Sequence, residues 1–407
     1  MIRIPDEKAA FFRHSDALEA LHRSQSLNEK LAALHGALRT HVATVDRIAV
    51  AAYDSTTDLL RTFLASSPHG NPLVRYESRL AESPSLVSIL QAGAPRLVHD
   101  LEIFRSGTHP HTQAIAEGGY RWSYTVPMYR DGTFWGFVFL NSLSPYALND
   151  AELRTLDVFA HLVASIVTDQ MQAMRTLAAA VKTAHDLVHY RDPETGGHID
   201  RMARYARLIA QHLAAHGLAA LDDEAIERIY NYAPLHDIGK LALPDRILLK
   251  PGNLSDAERE EMKRHTVLGL EMIDTIARNF GLEHLDGLDI LRHIAESHHE
   301  TMDGCGYPHG LHGDEIPIEA RIVAVADIFD ALTSSRAYKV SWTQAKAFTR
   351  LRELARAKLD KDCVEALLAN ADKVHVIRER YADRPSADDR HDIRPTDVVS
   401  ATDMHPV

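Results

Sequence analysis

From Asp150 to Tyr190 the sequence contains neither proline nor glycine. Val167, Met171, Met174, Ala178, Val181 and Val188 fall there at alternating three- and four-residue steps, so the stretch reads as one long helix. Such a helix either packs on its own domain or forms a two-stranded seam between two copies of the chain, with His185 interrupting the register. It also divides the chain. A length of 407 residues suits two or three domains, because single cores rarely grow past roughly 250 to 300 residues.

Before this helix, "RIAVAAYDSTTDLLRTFLAS" (47–66) reads as two strands around a polar turn. The segment "SYTVPMYRDGTFWGFVFLNS" reads as a second hairpin, closed by Asp131 and Gly132. Helical patterns flank them, near Leu27–His41 and from Asn149 to about Gln170, which predicts an α+β domain with helices on an antiparallel sheet. That order resembles a GAF domain, a sensory fold, over residues 25–170, with residues 1–24 as an N-terminal extension. The N-K-x-F-x-D-E signature of cyclic-nucleotide-binding GAF domains is missing, so the GAF ligand stays unknown.

After Tyr190 nearly everything reads as helix and loop. The 3.6-residue period runs through "HIDRMARYARLIAQHLAAHG", "DDEAIERIYNYAPLHDIGK", "SDAEREEMKRHTVLGLEMIDTIARNF" and "PIEARIVAVADIFDALTSS", and Ser255 with Glu258 forms a capping box. Residues 382–407 are polar, acidic and proline-punctuated, which predicts a disordered tail. The fold class is therefore an α+β GAF-like domain, a connecting helix over 165–190 and an all-α domain over 180–375.

The net charge is −12 with no basic block, which argues against polymeric nucleic acid as a partner. Two cysteines, Cys305 and Cys363, are too few for a disulfide framework and fit a reducing compartment. No stretch approaches the roughly 18 uninterrupted apolar residues of a membrane span. These features predict a cytoplasmic protein.

Of 25 histidines, many are unremarkable, and spacing matters more than abundance. His236 and Asp237 are adjacent in "LHDIGK", with Lys240 three residues on. Glu194 and His198 lie four apart, and His298 and His299 are adjacent in "HHETMDGCGYPHG". Imidazole nitrogen together with carboxylate oxygen suits Fe, Mn or Zn. Adjacent ligands make sense when two ions lie about 3.5 to 4 Å apart, since neighbours can then address different ions.

"HDIGK", "HHETMDGCGYP" and "ADIFDALTSSRAYK" follow one another in that order, and together they resemble the HD-GYP family of HD phosphohydrolases. The resemblance implies metal ligands at Glu194, His198, His236, Asp237, His265, His298, His299 and Asp327. It implies two or three transition-metal ions, iron first and manganese second, with the glutamate at 194 associated with the three-ion form. Catalysis would fall to His236, Asp237 and Lys240, with Asp237 bridging two ions and Lys240 over the scissile phosphate. Tyr307, Asp330, Arg336 and Lys339 would bind the substrate, and Gly304, Gly306 and Pro308 would shape the loop that carries Tyr307. Ala337 departs from the usual proline between Arg336 and Lys339. The implied reaction is hydrolysis of cyclic di-GMP to linear pGpG and on to GMP, under control of the GAF domain. The alternatives are another cyclic dinucleotide such as cyclic GMP-AMP, or a non-catalytic receptor for a nucleotide or a partner.

Overall fold

The computed structural model describes residues 16–22, 26–55, 57–73, 76–104, 110–145, 148–189, 196–334 and 341–382, in two compact units, Met1–Gln170 and Met171–Val407. The predicted tail beyond residue 382, most of the N-terminal extension, and the positions of Glu194, Arg336, Ala337 and Lys339 lie outside those residues.

The first unit is built on a six-stranded antiparallel sheet. Its strands are β1 (Arg47–Asp54), β2 (Leu59–Ser66), β3 (Glu77–Arg79), β4 (Arg96–Val98), β5 (Trp122–Arg130) and β6 (Thr133–Ser142), in the order β3-β2-β1-β6-β5-β4. Asp131 and Gly132 both take positive φ and close the β5–β6 hairpin where the sequence places it. Helix α1 (Leu27–His41) starts at a Ser26–Glu29 capping box and buries Leu31, Leu34 and Leu38. Helix α2 (Pro84–Ala92) buries Leu86 and Ile89 in a cluster with Leu60 and Phe137, and α3 (Pro110–Glu117) contributes Ile115 beside Leu101 and Tyr120.

Helix α4 (Asp150–His189) is continuous, as its lack of breakers requires. Of its apolar positions, Val167, Met174 and Val181 are buried within the single chain, and Val181 joins Leu177 in the core of the second unit. Beside these three buried positions, Met171 and Ala178 are half-buried. No described helix is long and apolar enough to cross a membrane.

The second unit is helical among its described residues. It contains α5 (Gly196–Ala215), α6 (Asp223–Tyr232), α7 (Asp245–Leu248), α8 (Asp256–Lys263), α9 (His265–Asn279), α10 (Leu288–Ser297), α11 (Ile318–Thr333), α12 (Gln344–Leu354), α13 (Lys361–Ala369) and α14 (Ala371–Arg380). Helix α11 is apolar nearly all round, as a helix surrounded by protein should be. Ile322, Val323, Val325, Ala326 and Phe329 are shut away from solvent. Against that background its two aspartates, Asp327 and Asp330, stand out.

Candidate metal centre

Seven donor side chains from five helical segments converge in the second unit. His198 comes from the first turn of α5 and Asp327 from α11. His236 and Asp237 lie at the junction of two short 3-10 turns, Ala233–Leu235 and Ile238–Ala242. His265 opens α9, and His298 and His299 follow the last residue of α10. Neighbouring residues on a regular helix point about 100° apart; the break at Asp237 and the end of α10 let these pairs converge.

The donors form two groups, each with ligand atoms within 4.8 Å of one another: Asp237, His265, His298 and His299, and His198, His236 and Asp327. The adjacent pairs divide differently from the expectation. His236 and Asp237 serve different groups, whereas His298 and His299 fall in one, because both project from the same helix end. Asp237 joins the groups. Its Oδ1 lies 3.2 Å from His265 Nε2 and 3.6 Å from His298 Nε2, and its Oδ2 lies 3.2 Å from His236 Nε2 and 2.7 Å from Lys240 Nζ.

Four of the histidines share one arrangement. Nδ1 of His236 donates to Ala233 O (3.0 Å), that of His265 to Met262 O (2.8 Å), that of His298 to Ile294 O (2.9 Å), and that of His198 to Asp330 Oδ2 (2.8 Å). With the proton on Nδ1, each ring presents the lone pair of Nε2 to the centre, the form in which histidine binds metal. Nε2 of His265 and of His298, and Oδ1 of Asp237, are buried without a hydrogen-bond partner. Buried acceptors left in this state are costly unless something else satisfies them, and a cation does.

Charge points the same way. Burial opposes ionisation of Asp237, but Lys240 and His236 outweigh it and hold the carboxyl well below the usual range. Burial, reinforced by neighbouring imidazoles, keeps His299 well below its ordinary value, and burial also lowers His298. Ionised carboxylate and neutral imidazole are the ligating forms.

Two glycines allow the close approach. A Cβ on Gly239 would meet His265 O at 1.8 Å, and one on Gly306 would meet Glu300 Cα at 2.5 Å. Buried Glu300 accepts from the backbone N–H groups of His309 (2.7 Å) and Leu311 (3.0 Å), which fastens the loop that carries Tyr307 and Pro308.

Two of the expected substrate residues, Asp330 and Tyr307, contact histidines of the cluster. Asp330 is fully buried. Its carboxylate accepts from His198, from Arg201 Nε (2.7 Å) and Nη2 (2.9 Å), and from Ser334 Oγ (2.8 Å), so it orients His198 from a position closed to solvent. Tyr307 stacks on His299, with ring centroids 4.7 Å apart and planes 27° from parallel, so its ring supports that imidazole. Arg201 and Glu300 were missed. Arg201 carries a signal, a cation three residues after His198 on the same helical face, and Glu300 stands directly after the paired histidines.

Residues 182–363 match the HD domain family and residues 27–167 the GAF domain family. The chain is 40% identical over 229 residues to the cyclic di-GMP phosphodiesterase response regulator RpfG of Xanthomonas campestris pv. campestris, covering 56% of each. It is 37% identical over 231 residues to a cyclic di-GMP phosphodiesterase of Vibrio cholerae serotype O1, covering 54% of this chain and 46% of that one. It is 34% identical over 242 residues to the 3'3'-cGAMP-specific phosphodiesterase 2 of the same organism, covering 58% and 43%. The chain thus spans about half the length of these curated relatives.

Proposed function

We propose, from the match of residues 182–363 to the HD domain family and of residues 27–167 to the GAF domain family, that the chain is a metal-dependent cyclic dinucleotide phosphodiesterase. It hydrolyses cyclic di-GMP to linear pGpG and on to GMP, with the GAF domain adjusting the rate through α4. The observation that carries this reading is the set of four histidines with Nδ1 engaged by the protein and Nε2 aimed at two carboxylates.

His265, His298, His299 and Asp237 would hold one transition-metal ion and His198, His236 and Asp327 a second. Iron is the first choice and manganese the second, since the donors are nitrogen and oxygen with no thiolate. Ions bound there would neutralise phosphoryl oxygens and make hydroxide available at neutral pH. The chain's own residues do the rest. Asp237 stays ionised between the two groups, and Lys240, with a quarter of its side chain exposed, presents an ammonium beside it to an incoming phosphate. The His299–Tyr307 stack walls one side of the centre.

Relatives named for 3'3'-cGAMP match at 34% identity, close to the 37% of a cyclic di-GMP enzyme, which supports a second reading in which cyclic GMP-AMP is the substrate. The test is to purify the full chain without oxygen, count its metal ions and compare hydrolysis of cyclic di-GMP, cyclic GMP-AMP and cyclic di-AMP. The double substitution His236→Ala, Asp237→Ala is expected to lower turnover more than about a thousandfold, or about 4 kcal/mol of barrier, and to lower metal content with it. Native-rate cleavage of cyclic di-GMP by that variant would sink the proposal.

A further inference from the structure

The sheet of the first unit holds a second buried constellation. On one face, alternate residues of three adjoining strands, Arg47 and Ala49 of β1, Phe139 and Asn141 of β6, and Ser123 and Thr125 of β5, line a cavity of about 120 Å³. Arg47 is 2% exposed. Its Nε and Nη2 donate to Asn71 Oδ1 at 3.1 and 2.8 Å, and its Nη1 donates to Asn141 Oδ1 at 2.7 Å. Those acceptors are neutral amides, and among the described residues no carboxylate pairs with this cation.

A buried charge is ordinarily paired with an opposite one. Here burial alone pushes the guanidinium down to about 10, so its charge is poorly compensated as the site stands. Arg96 of β4 lines the same cavity. Its Nη1 donates to Ser85 O at 2.7 Å, while its Nε is buried with no partner at all. Elsewhere the walls are largely apolar, from Leu60, Leu73, Leu86, Val98 and Ile115. Two guanidiniums without a counter-anion, facing one space with an apolar remainder, specify a ligand with an anionic end and a hydrocarbon body.

Size narrows the class. An apolar cavity of about 150 Å³ holds benzene, so this one takes a single ring or a short branched chain and excludes a nucleotide. We infer that the cavity binds a small organic carboxylate, its body against Leu60 and Leu86 and its carboxylate on Arg47 and Arg96. The inference concerns the GAF domain alone and is independent of the catalytic reading.

Calorimetric titration of the full chain tests it, with benzoate, its uncharged counterpart benzamide, and inorganic phosphate as probes. Benzoate is expected to bind one per chain at least tenfold more tightly than benzamide, and phosphate more weakly than benzoate. Arg47→Gln should reduce benzoate to the affinity of benzamide. Ala49→Leu keeps both arginines but fills the space, and should remove both ligands. If the native protein binds benzoate no better than benzamide, or binds phosphate as tightly as benzoate, the inference is overturned. It is also overturned if Arg47→Gln keeps the preference, since Arg47 is then a strut between Asn71 and Asn141. The native protein decides the first two comparisons alone, so misfolding of a variant does not shelter the inference.

Discussion

Two sites, one in each unit, bury polar groups that lack a full set of partners or a counter-charge, and at the two sites the groups are of opposite kinds. At the histidine–aspartate cluster of the helical unit they are acceptors: imidazole Nε2 lone pairs and a carboxylate oxygen, gathered around a centre that calls for cations. In the sheet unit they are donors: a guanidinium balanced only by amides and another with a bare Nε, calling for an anion. The sign of the leftover groups indicates the sign of the ligand. The same contrast separates two buried arginines. Arg201 sits on a carboxylate, Asp330, whereas Arg47 has none among the described residues.

Removing Arg201 should have the larger effect. Arg201→Met strips Asp330 of its main cation, and breaking one side of a buried pair costs about 3 to 5 kcal/mol. Thermal unfolding of the full chain at neutral pH measures the loss. Its pH dependence sharpens the point. Burial opposes the Asp330 charge, but His198 and Arg201 together hold its carboxyl below the usual range. In the native protein that contribution is present above the unfolded value of about 3.9, and it is lost only as pH falls through the lower folded value. Without Arg201 burial governs and raises the folded value, so the variant loses stability as pH rises and its deficit narrows in acid. A deficit constant down to pH 4 would show that the pairing is not what Arg201 provides.

Asp330→Asn probes the link from that pair to the metal centre. The variant weakens the acceptor that sets the His198 tautomer while leaving every proposed ligand in place. Partners of this type are worth about 10- to 100-fold in metal affinity or activity. Competition with a coloured chelator is expected to show weaker binding of roughly that size at one ion of the set, with the other unchanged. Equal loss at every ion would mean that Asp330 supports the unit as a whole and does not position His198.

Much of this was legible in the sequence, and the exceptions have a common cause. The bounds of α1, the Asp131-Gly132 hairpin and the unbroken α4 follow from local chemistry: a capping box, a turn dipeptide and a missing breaker. Seven of the proposed metal ligands converge in the structure, because their adjacency and order along the chain already carried the signal. Asp330 is instructive. Its three-residue spacing from Asp327 correctly placed both on one helical side, but spacing does not say whether a position opens on the centre or lies behind it. The Nδ1 acceptors were invisible because three of them are backbone carbonyls. The cavity was invisible too. Arg47 looks like an ordinary residue at a strand start, and its partner Asn141 stands 94 positions away, joined only when β1 pairs with β6.

The smallest effect belongs to Arg47→Met, and it tests the comparison from the other side. The substitution removes a buried cation that has no anion to strand, so the penalty of 3 to 5 kcal/mol expected at Arg201 does not arise. It leaves Asn141 Oδ1 without a donor, while Asn71 Oδ1 keeps the N–H of Leu73 at 3.2 Å. An unsatisfied buried acceptor costs about 1 to 3 kcal/mol, and relief from burying an unpaired guanidinium offsets part of it. The expected net change in stability is about 1 kcal/mol or less, measured by denaturant unfolding beside Arg201→Met under the same conditions. If Arg47→Met proves as damaging as Arg201→Met, the native fold already compensates the Arg47 charge, and the contrast between a cation-seeking and an anion-seeking unit fails at the sheet.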